Sequence, residues 1–326
     1  MRAVLLPALH SRLVDAEFPE PPLGANDVRV AIAACGICHS DAHYRAGFGA
    51  IATPRILGHE IAGRVVEVGA SVSEPRVGDR VAVHYLRSCG ACRGCERGEQ
   101  FCETGEMIGK QCDGGYAESI VIPARNAVAI PDNVPFEIAA VMMCSTATAY
   151  HALRVGGFEQ GKSVAILGLG GLGISALHLC RVLGASHITT VDVVEEKLAA
   201  AEALGARRGL TQPVDIAVDF TGRPDVMLDA LKMLEPRGSL VVVALSEAPF
   251  TLNPYRDLLG KERRIVGCSD HLRSELVELM ELASTGKLEI GGAISRRVPL
   301  QAGDINDALD DLERGTAILR NVMVNA

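Results

Sequence analysis

The sequence predicts an α/β fold in two parts, a β-rich part and a doubly wound parallel sheet. Three observations carry this. Residues 1–145 hold short β-branched runs bounded by Gly, Pro or Asp, without helix–strand alternation. From Lys162 onward, apolar strands alternate with helical patterns, the signature of a parallel sheet with right-handed crossovers. After about Ser269 the alternation stops, and two helices and a last strand follow. The expected division is residues 1–145 with 270–326, and residues 146–269. A chain of 326 residues is long enough to bury two cores.

The elements follow in order. The N-terminal Met1-Arg-Ala-Val-Leu-Leu reads as a first strand. Val28 to Ala33, Ala62 to Gly69 and Asp79 to His84 are strand-like runs. Lys162 to Leu167 is a buried-type strand, and Leu172 to Leu183 an apolar helix. His187 to Asp192 is the next strand, and Glu195 to Leu204 the next helix. Asp215 to Phe220 and Ser239 to Leu245 continue the series. Leu272 to Ser284 and Ile305 to Glu313 read as amphipathic helices, and Asn321 to Val324 as the closing strand.

Composition excludes several function classes. The net charge of −8 and the lack of a Lys/Arg run argue against nucleic acid. The chain has no Trp and few aromatics, so it lacks stacking platforms for single strands. No apolar run reaches the ~20 residues needed to cross a bilayer. The N-terminus lacks a full signal-peptide core and cleavage site. A soluble, cytoplasmic protein is expected. In that reducing setting, ten Cys point to metal before disulfides.

Cys38, His59 and Cys144 each sit in a pattern that suits a catalytic metal. The patterns are Cys38-His39-Ser40-Asp41-Ala42-His43, Gly58-His59-Glu60, and Cys144-Ser145-Thr146-Ala147-Thr148. Two thiolates and an imidazole bind zinc and leave the fourth tetrahedral position open, so such a zinc is a Lewis acid. Cys89, Cys92, Cys95 and Cys102 fall within fourteen residues. Four thiolates close the tetrahedron, so a zinc there is structural. Disulfide pairing is the alternative. Cys35, Cys112, Cys180 and Cys268 read as packing residues, and His178 as structural. His84 and Tyr85 line a substrate pocket or pack the core.

Gly168-Leu169-Gly170-Gly171-Leu172-Gly173 follows the Lys162 to Leu167 strand and opens a helix. Glycines there let a pyrophosphate approach the backbone at a helix N-terminus. Asp192 follows Gly173 by nineteen residues, at the end of the next strand. A carboxylate there accepts hydrogen bonds from a ribose 2′-OH and repels a 2′-phosphate, which favours NAD over NADP. Lys197 is within reach of the same ribose.

Taken together, these motifs resemble those of the zinc-dependent medium-chain dehydrogenases, the alcohol dehydrogenase type in particular, almost end to end. The resemblance implies a GroES-like catalytic domain and a Rossmann domain for NAD. It implies two zincs per chain: Cys38, His59 and Cys144 would hold the catalytic one, and the four-Cys lobe the structural one. Glu60 would be a close carboxylate behind the ligands. Asp41 would fix the His59 tautomer. Ser40 would take the alcohol's proton and His43 would pass it to solvent. His39 and Arg320 would contact pyrophosphate, and Thr148 would pack near the nicotinamide. The implied activity is interconversion of a small-molecule alcohol with its aldehyde or ketone, with the hydride passing to NAD. A carbonyl reductase on the same machinery, or a non-catalytic NAD-binding scaffold or redox sensor, are the alternatives. A homodimer or homotetramer is expected.

Two departures from that pattern stand out. Six residues, not the usual seven, separate Cys95 from Cys102, and Cys112 is a distant substitute ligand. Only Gly205 to Pro213 fills an interval where relatives carry a strand, a helix and a long loop. One crossover helix is therefore expected to be missing.

Overall fold

The computed structural model describes residues 1–290, 292, 294–315 and 320–325. The chain divides into two compact units, Met1–Cys144 with Leu272–Ala326, and Ser145–His271.

The first unit is built on a seven-stranded sheet. Along it lie Ala127–Ala129, Arg80–Val83, Glu60–Val68, Asp27–Ile37, Arg320–Val324 and Ile294–Pro299, and Ser119–Pro123 also pairs with Asp27–Ile37. Asp27–Ile37 alternates half-buried and buried residues for most of its length, so apolar side chains line one face. Register is what matters for the site. Gly36 lies opposite Glu60, and Ile37 opposite Asn321. The ends of three strands therefore meet at one place. A smaller sheet of Val14–Glu17, Arg2–Leu6 and Arg55–Ile56 packs on the same core, with Val4, Leu6, Ile56, Tyr116 and Ile122 fully buried.

This unit also holds short helices that the sequence reading leaves as loop: His39–Arg45, Arg93–Arg97 and Phe136–Val141. Five to seven residues are too few to display a helical hydrophobic period. The first of them is fixed by polar groups instead. Cys38 caps it, and the Asp41 carboxylate accepts from the Cys38 amide at 3.0 Å. Its last residue, Arg45, is buried and donates to Asp310 at 2.6 Å. That contact ties it to the helix Ala302–Glu313.

The second unit is a six-stranded parallel sheet. Its spatial order is Arg207–Arg208, Ile188–Val191, Val164–Leu167, Val214–Asp219, Leu234–Val242 and Arg264–Gly267. The helices Gly171–Val182, Glu195–Ala203 and Pro224–Lys232 make crossovers. The order reverses beside Val164–Leu167, the place where open α/β sheets bind ligands.

The shortened interval keeps its strand and loses its helix. Arg207–Arg208 pairs in parallel with Thr189 and Thr190, and Val214 follows after five intervening residues. The chain must pass three strand spacings sideways, about 14 Å, and run back about 13 Å to the start of Val214–Asp219. Six residue steps reach about 20 Å at most, so the connection is nearly taut. A positive φ of 73° at Gly209 makes the turn, and the Gly209 amide donates to Thr190 at 2.8 Å. Leu210 packs on the sheet core in place of helix side chains.

Candidate metal centre

Four donor groups converge in the first unit. One ligand atom from each of Cys38, His59, Glu60 and Cys144 lies within 4.8 Å of the others, and all four residues are buried. Each comes from a different local device. Cys38 caps the helix His39–Arg45. His59 immediately precedes, and Glu60 opens, the strand Glu60–Val68, after Gly58 at a φ of 90°. A side chain at position 58 would have its Cβ 2.8 Å from the Tyr116 ring and 2.9 Å from Cys35 Sγ, so only glycine fits. Cys144 sits in a π-helical turn, Met142–Thr146, a distortion frequent at functional sites.

Asp41 organises the centre. It is fully buried and accepts from the Cys38 amide at 3.0 Å, the Gly58 amide at 3.2 Å and the Tyr116 hydroxyl at 2.9 Å. His59 Nδ1 lies 3.3 Å from its Oδ1. That contact directs Nδ1 at the carboxylate and turns Nε2 the other way, the usual arrangement behind a metal-ligating imidazole. His59 Nε2 is buried and makes no well-formed hydrogen bond.

The electrostatics suit a cation. Burial opposes charge on His59, but Asp41 and Cys38 hold its pKa well above the ordinary value. Cys144 hydrogen-bonds to Cys38, which holds the Cys38 thiol well below the usual range and pushes Cys144 well above it. Burial raises the Glu60 carboxyl to about 7 against the pull of Arg320. Two thiols, an imidazole and a carboxylate this deep, with neither His59 ring nitrogen in a well-formed hydrogen bond, match the donor chemistry of zinc.

Ser40 and His43 stand three residues apart on the helix that Cys38 caps, so they share a face. Ser40 Oγ is 3.7 Å from Cys38 Sγ. The half-buried His43 ring lies 4.6 Å from that of His39 and 5.7 Å from Phe48, centroid to centroid. Burial first, then His39, lowers its pKa below the ordinary imidazole value. His39 is exposed at the start of the helix. The Arg320 guanidinium, expected at pyrophosphate, is buried and forks onto both Glu60 oxygens. Tyr85 is buried and meets the His59 ring edge-on at 5.3 Å, and His84 is buried beside it.

The four-Cys lobe forms despite its shortened spacing. The four thiols lie within 4.8 Å of one another, with sulfurs 3.8 Å apart for Cys89 and Cys95, 3.6 Å for Cys92 and Cys95, and 4.0 Å for Cys92 and Cys102. A tetrahedral zinc with Zn–S of about 2.3 Å spaces its sulfurs about 3.8 Å apart. None of the ten cysteines is disulfide-bonded. Backbone amides of Cys89, Gly90, Cys95 and Glu103 point at the sulfurs at 3.3 to 3.5 Å. The Cys89 amide above all holds the Cys102 thiol down to about 6. The segment between Cys95 and Cys102 closes through the 3-10 turn Glu99–Phe101, which folds directly onto Gly94. Cys112 takes no part in the cluster, and burial raises its thiol pKa against the pull of nearby Arg87.

In the second unit the glycine turn and Asp192 meet. Gly168 has a φ of 92°, Gly170 caps the helix Gly171–Val182, and a Cβ on Gly173 would lie 1.9 Å from the Gly168 carbonyl oxygen. Asp192 accepts from the Leu169 amide at 2.6 Å and the Val194 amide at 2.9 Å, so it braces the turn itself. Lys197 lies on the following helix, Glu195–Ala203, and Thr148 is buried in Ala147–Val155. Sequence reasoning passed over Tyr116, Arg45 and the partner of Arg320. Only the Gly114-Gly115-Tyr116 run carries a visible signal, a tight approach of backbone to another chain segment.

Residues 24–132 match the family model of the alcohol dehydrogenase GroES-like domain, and residues 171–285 that of the zinc-binding dehydrogenases. An alcohol dehydrogenase of Geobacillus stearothermophilus is 33% identical, covering 97% of each chain. An NAD-dependent alcohol dehydrogenase of Sulfolobus acidocaldarius is 31% identical over 99% of each. The solved structure of the alcohol dehydrogenase TADH from Thermus sp. ATN1 superposes with a TM-score of 0.91 at 27% identity, covering 100% of both chains. The chain belongs to the zinc-dependent medium-chain alcohol dehydrogenase family.

Proposed function

We propose that this protein interconverts an alcohol and its aldehyde or ketone, with NAD as the hydride carrier and zinc held by Cys38, His59 and Cys144. The observation that carries the reading is the convergence of those buried donors beside a helix that presents Ser40 and His43. Zinc there supplies Lewis acidity toward the substrate oxygen, and NAD in the second unit supplies or accepts the hydride.

The chain's own residues do the rest. Ser40, beside Cys38, accepts the proton of the substrate hydroxyl. His43, held neutral by its surroundings, receives it one helical turn away and releases it to solvent. Asp41 fixes the tautomer and aim of His59. Arg320 neutralises Glu60, which lies behind the ligands. The glycine turn at Gly168, Gly170, Gly171 and Gly173 admits the pyrophosphate, and Asp192 and Lys197 face the adenosine ribose. Thr148 packs beside the nicotinamide. Cys89, Cys92, Cys95 and Cys102 hold a second zinc that stiffens their lobe.

The test measures bound zinc and NADH formation over straight, branched and aromatic alcohols, with NADP in parallel. Cys144→Ala is expected to lower zinc from two to one per chain and to abolish turnover. Full turnover with two zincs retained would refute the ligand assignment.

A further inference from the structure

Tyr116 is fully buried, and its hydroxyl donates to Asp41 Oδ2 at 2.9 Å. The residue is pinned at both ends. Its amide donates to the Leu57 carbonyl at 3.0 Å, and its carbonyl accepts from the Val4 amide at 2.8 Å. Its ring lies against Gly58, the residue before His59. The phenol is therefore fixed in place independently of Asp41.

The Asp41 carboxylate offers about four acceptor positions. Four donors face them: the Cys38 amide, the Gly58 amide, the Tyr116 hydroxyl and His59 Nδ1. Three are rigid, two because they are backbone and one because its ring is wedged. Only the imidazole can move. Phenylalanine would fill the same ring space, so packing alone gives no reason for the hydroxyl.

We propose that Tyr116 is a positioning residue for the metal ligand His59, acting through Asp41, and that its hydroxyl slows the loss of zinc from this centre. The inference rests on the zinc reading given above. Removing the hydroxyl leaves a buried carboxylate with a bare lone pair. Asp41 relieves that by rotating toward another donor, and the rotation weakens its hold on Nδ1. A freed imidazole swings its Nε2 off the ligand position. Direct changes to the groups behind a metal ligand cost about 10- to 100-fold in affinity. One step further out, about 3- to 10-fold is expected.

The experiment uses the zinc-loaded protein and a chromogenic chelator, and follows zinc release in the wild type, Tyr116→Phe, Asp41→Asn and the double variant. The four-Cys lobe is the internal control. Tyr116→Phe is expected to speed release from the His59 site about 3- to 10-fold and to leave the lobe's phase unchanged. In the Asp41→Asn background the same change is expected to add nothing, because its route is already cut. Equal release by wild type and Tyr116→Phe would overturn the inference, as would an additive double variant or equal acceleration at both sites. If Cys144→Ala still holds two zincs, the metal reading itself falls. Two zincs lost normally by wild type, with no effect of Tyr116→Phe, would sink the inference alone.

Discussion

Gly94→Ala is a sharp test of the four-Cys lobe, because the geometry fixes its size. A methyl group on Gly94 would lie 1.8 Å from the Phe101 carbonyl oxygen, 2.7 Å from its carbonyl carbon and 3.4 Å from Cys102 Cα. The close neighbours are all backbone, so no side chain can swing aside. Carbon and oxygen approach to about 3.3 Å at best. The helix Arg93–Arg97 and the turn Glu99–Phe101 must then separate by about 1.5 Å. Cys92 and Cys95 stand on one side of that gap and Cys102 on the other. Zinc tolerates ligand displacements of only about 0.2 Å. Cys102 would therefore leave the tetrahedron, and the remaining three thiolates would hold zinc much more weakly. Metal content by mass spectrometry, before and after brief chelation, is expected to fall from two zincs per chain to one. The centre at Cys38 shares no residue with the lobe and is expected to keep its metal. Two zincs retained through chelation at the wild-type rate would refute the reasoning.

Two further predictions concern proton transfer and cofactor choice. Burial and His39 lower the pKa of His43, so His43 stays neutral, and able to accept a proton, below the ordinary value of about 6.5. The acid limb of kcat/KM for alcohol oxidation that belongs to His43 is thus expected below pH 6.5. His43→Gln should remove that limb and cost about 100-fold. A limb centred above 6.5, or one surviving in His43→Gln, would contradict this. The same lowering makes folding less favourable as pH drops through 6.5, since the unfolded chain then binds the proton more readily. Asp192→Ala removes the proposed ribose acceptor together with the brace on the Leu169 and Val194 amides. Charge-assisted hydrogen bonds are worth about 1.5–3 kcal/mol, so NAD turnover per KM should fall about 10- to 100-fold and the preference over NADP should narrow. An unchanged ratio of the two cofactors would place the ribose elsewhere.

Much of the fold was legible because its signals are periodic or punctuated. The strand–Gly–helix passage at Lys162 to Val182 announces itself, and so do the cysteine spacings. What stayed hidden depends on pairs far apart in the chain. The Arg320 side chain resembled a phosphate ligand, yet strand pairing sets it beside Glu60, 260 positions away. Register decided that, and register is invisible in one strand alone. The helix His39–Arg45 was hidden for a different reason. Its polar anchors, Asp41 at one end and Arg45 at the other, carry no hydrophobic pattern. Tyr116 reads as an ordinary core aromatic until its neighbour is known to be a buried carboxylate.

The two deletions bear on how separable this architecture is. One removes a residue from the lobe and the other removes a crossover helix. Each shortened region holds a glycine where a side chain is disfavoured, Gly94 under the Phe101 carbonyl and Gly209 at positive φ after the two-residue strand. Neither disturbs the elements that carry the proposed chemistry. Cys38 and His59 stand at the ends of central strands of the first sheet and are held by Asp41, and Cys144 lies in the π-helical turn Met142–Thr146. The glycine turn and Asp192 belong to the two strands, Val164–Leu167 and Ile188–Val191, that precede the shortened interval. The shortened connection instead costs slack: a segment nearly at full reach cannot absorb a shift of the strands it joins. Lengthening it by a few residues should therefore be tolerated, whereas removing even one should pull Arg207–Arg208 off the sheet edge.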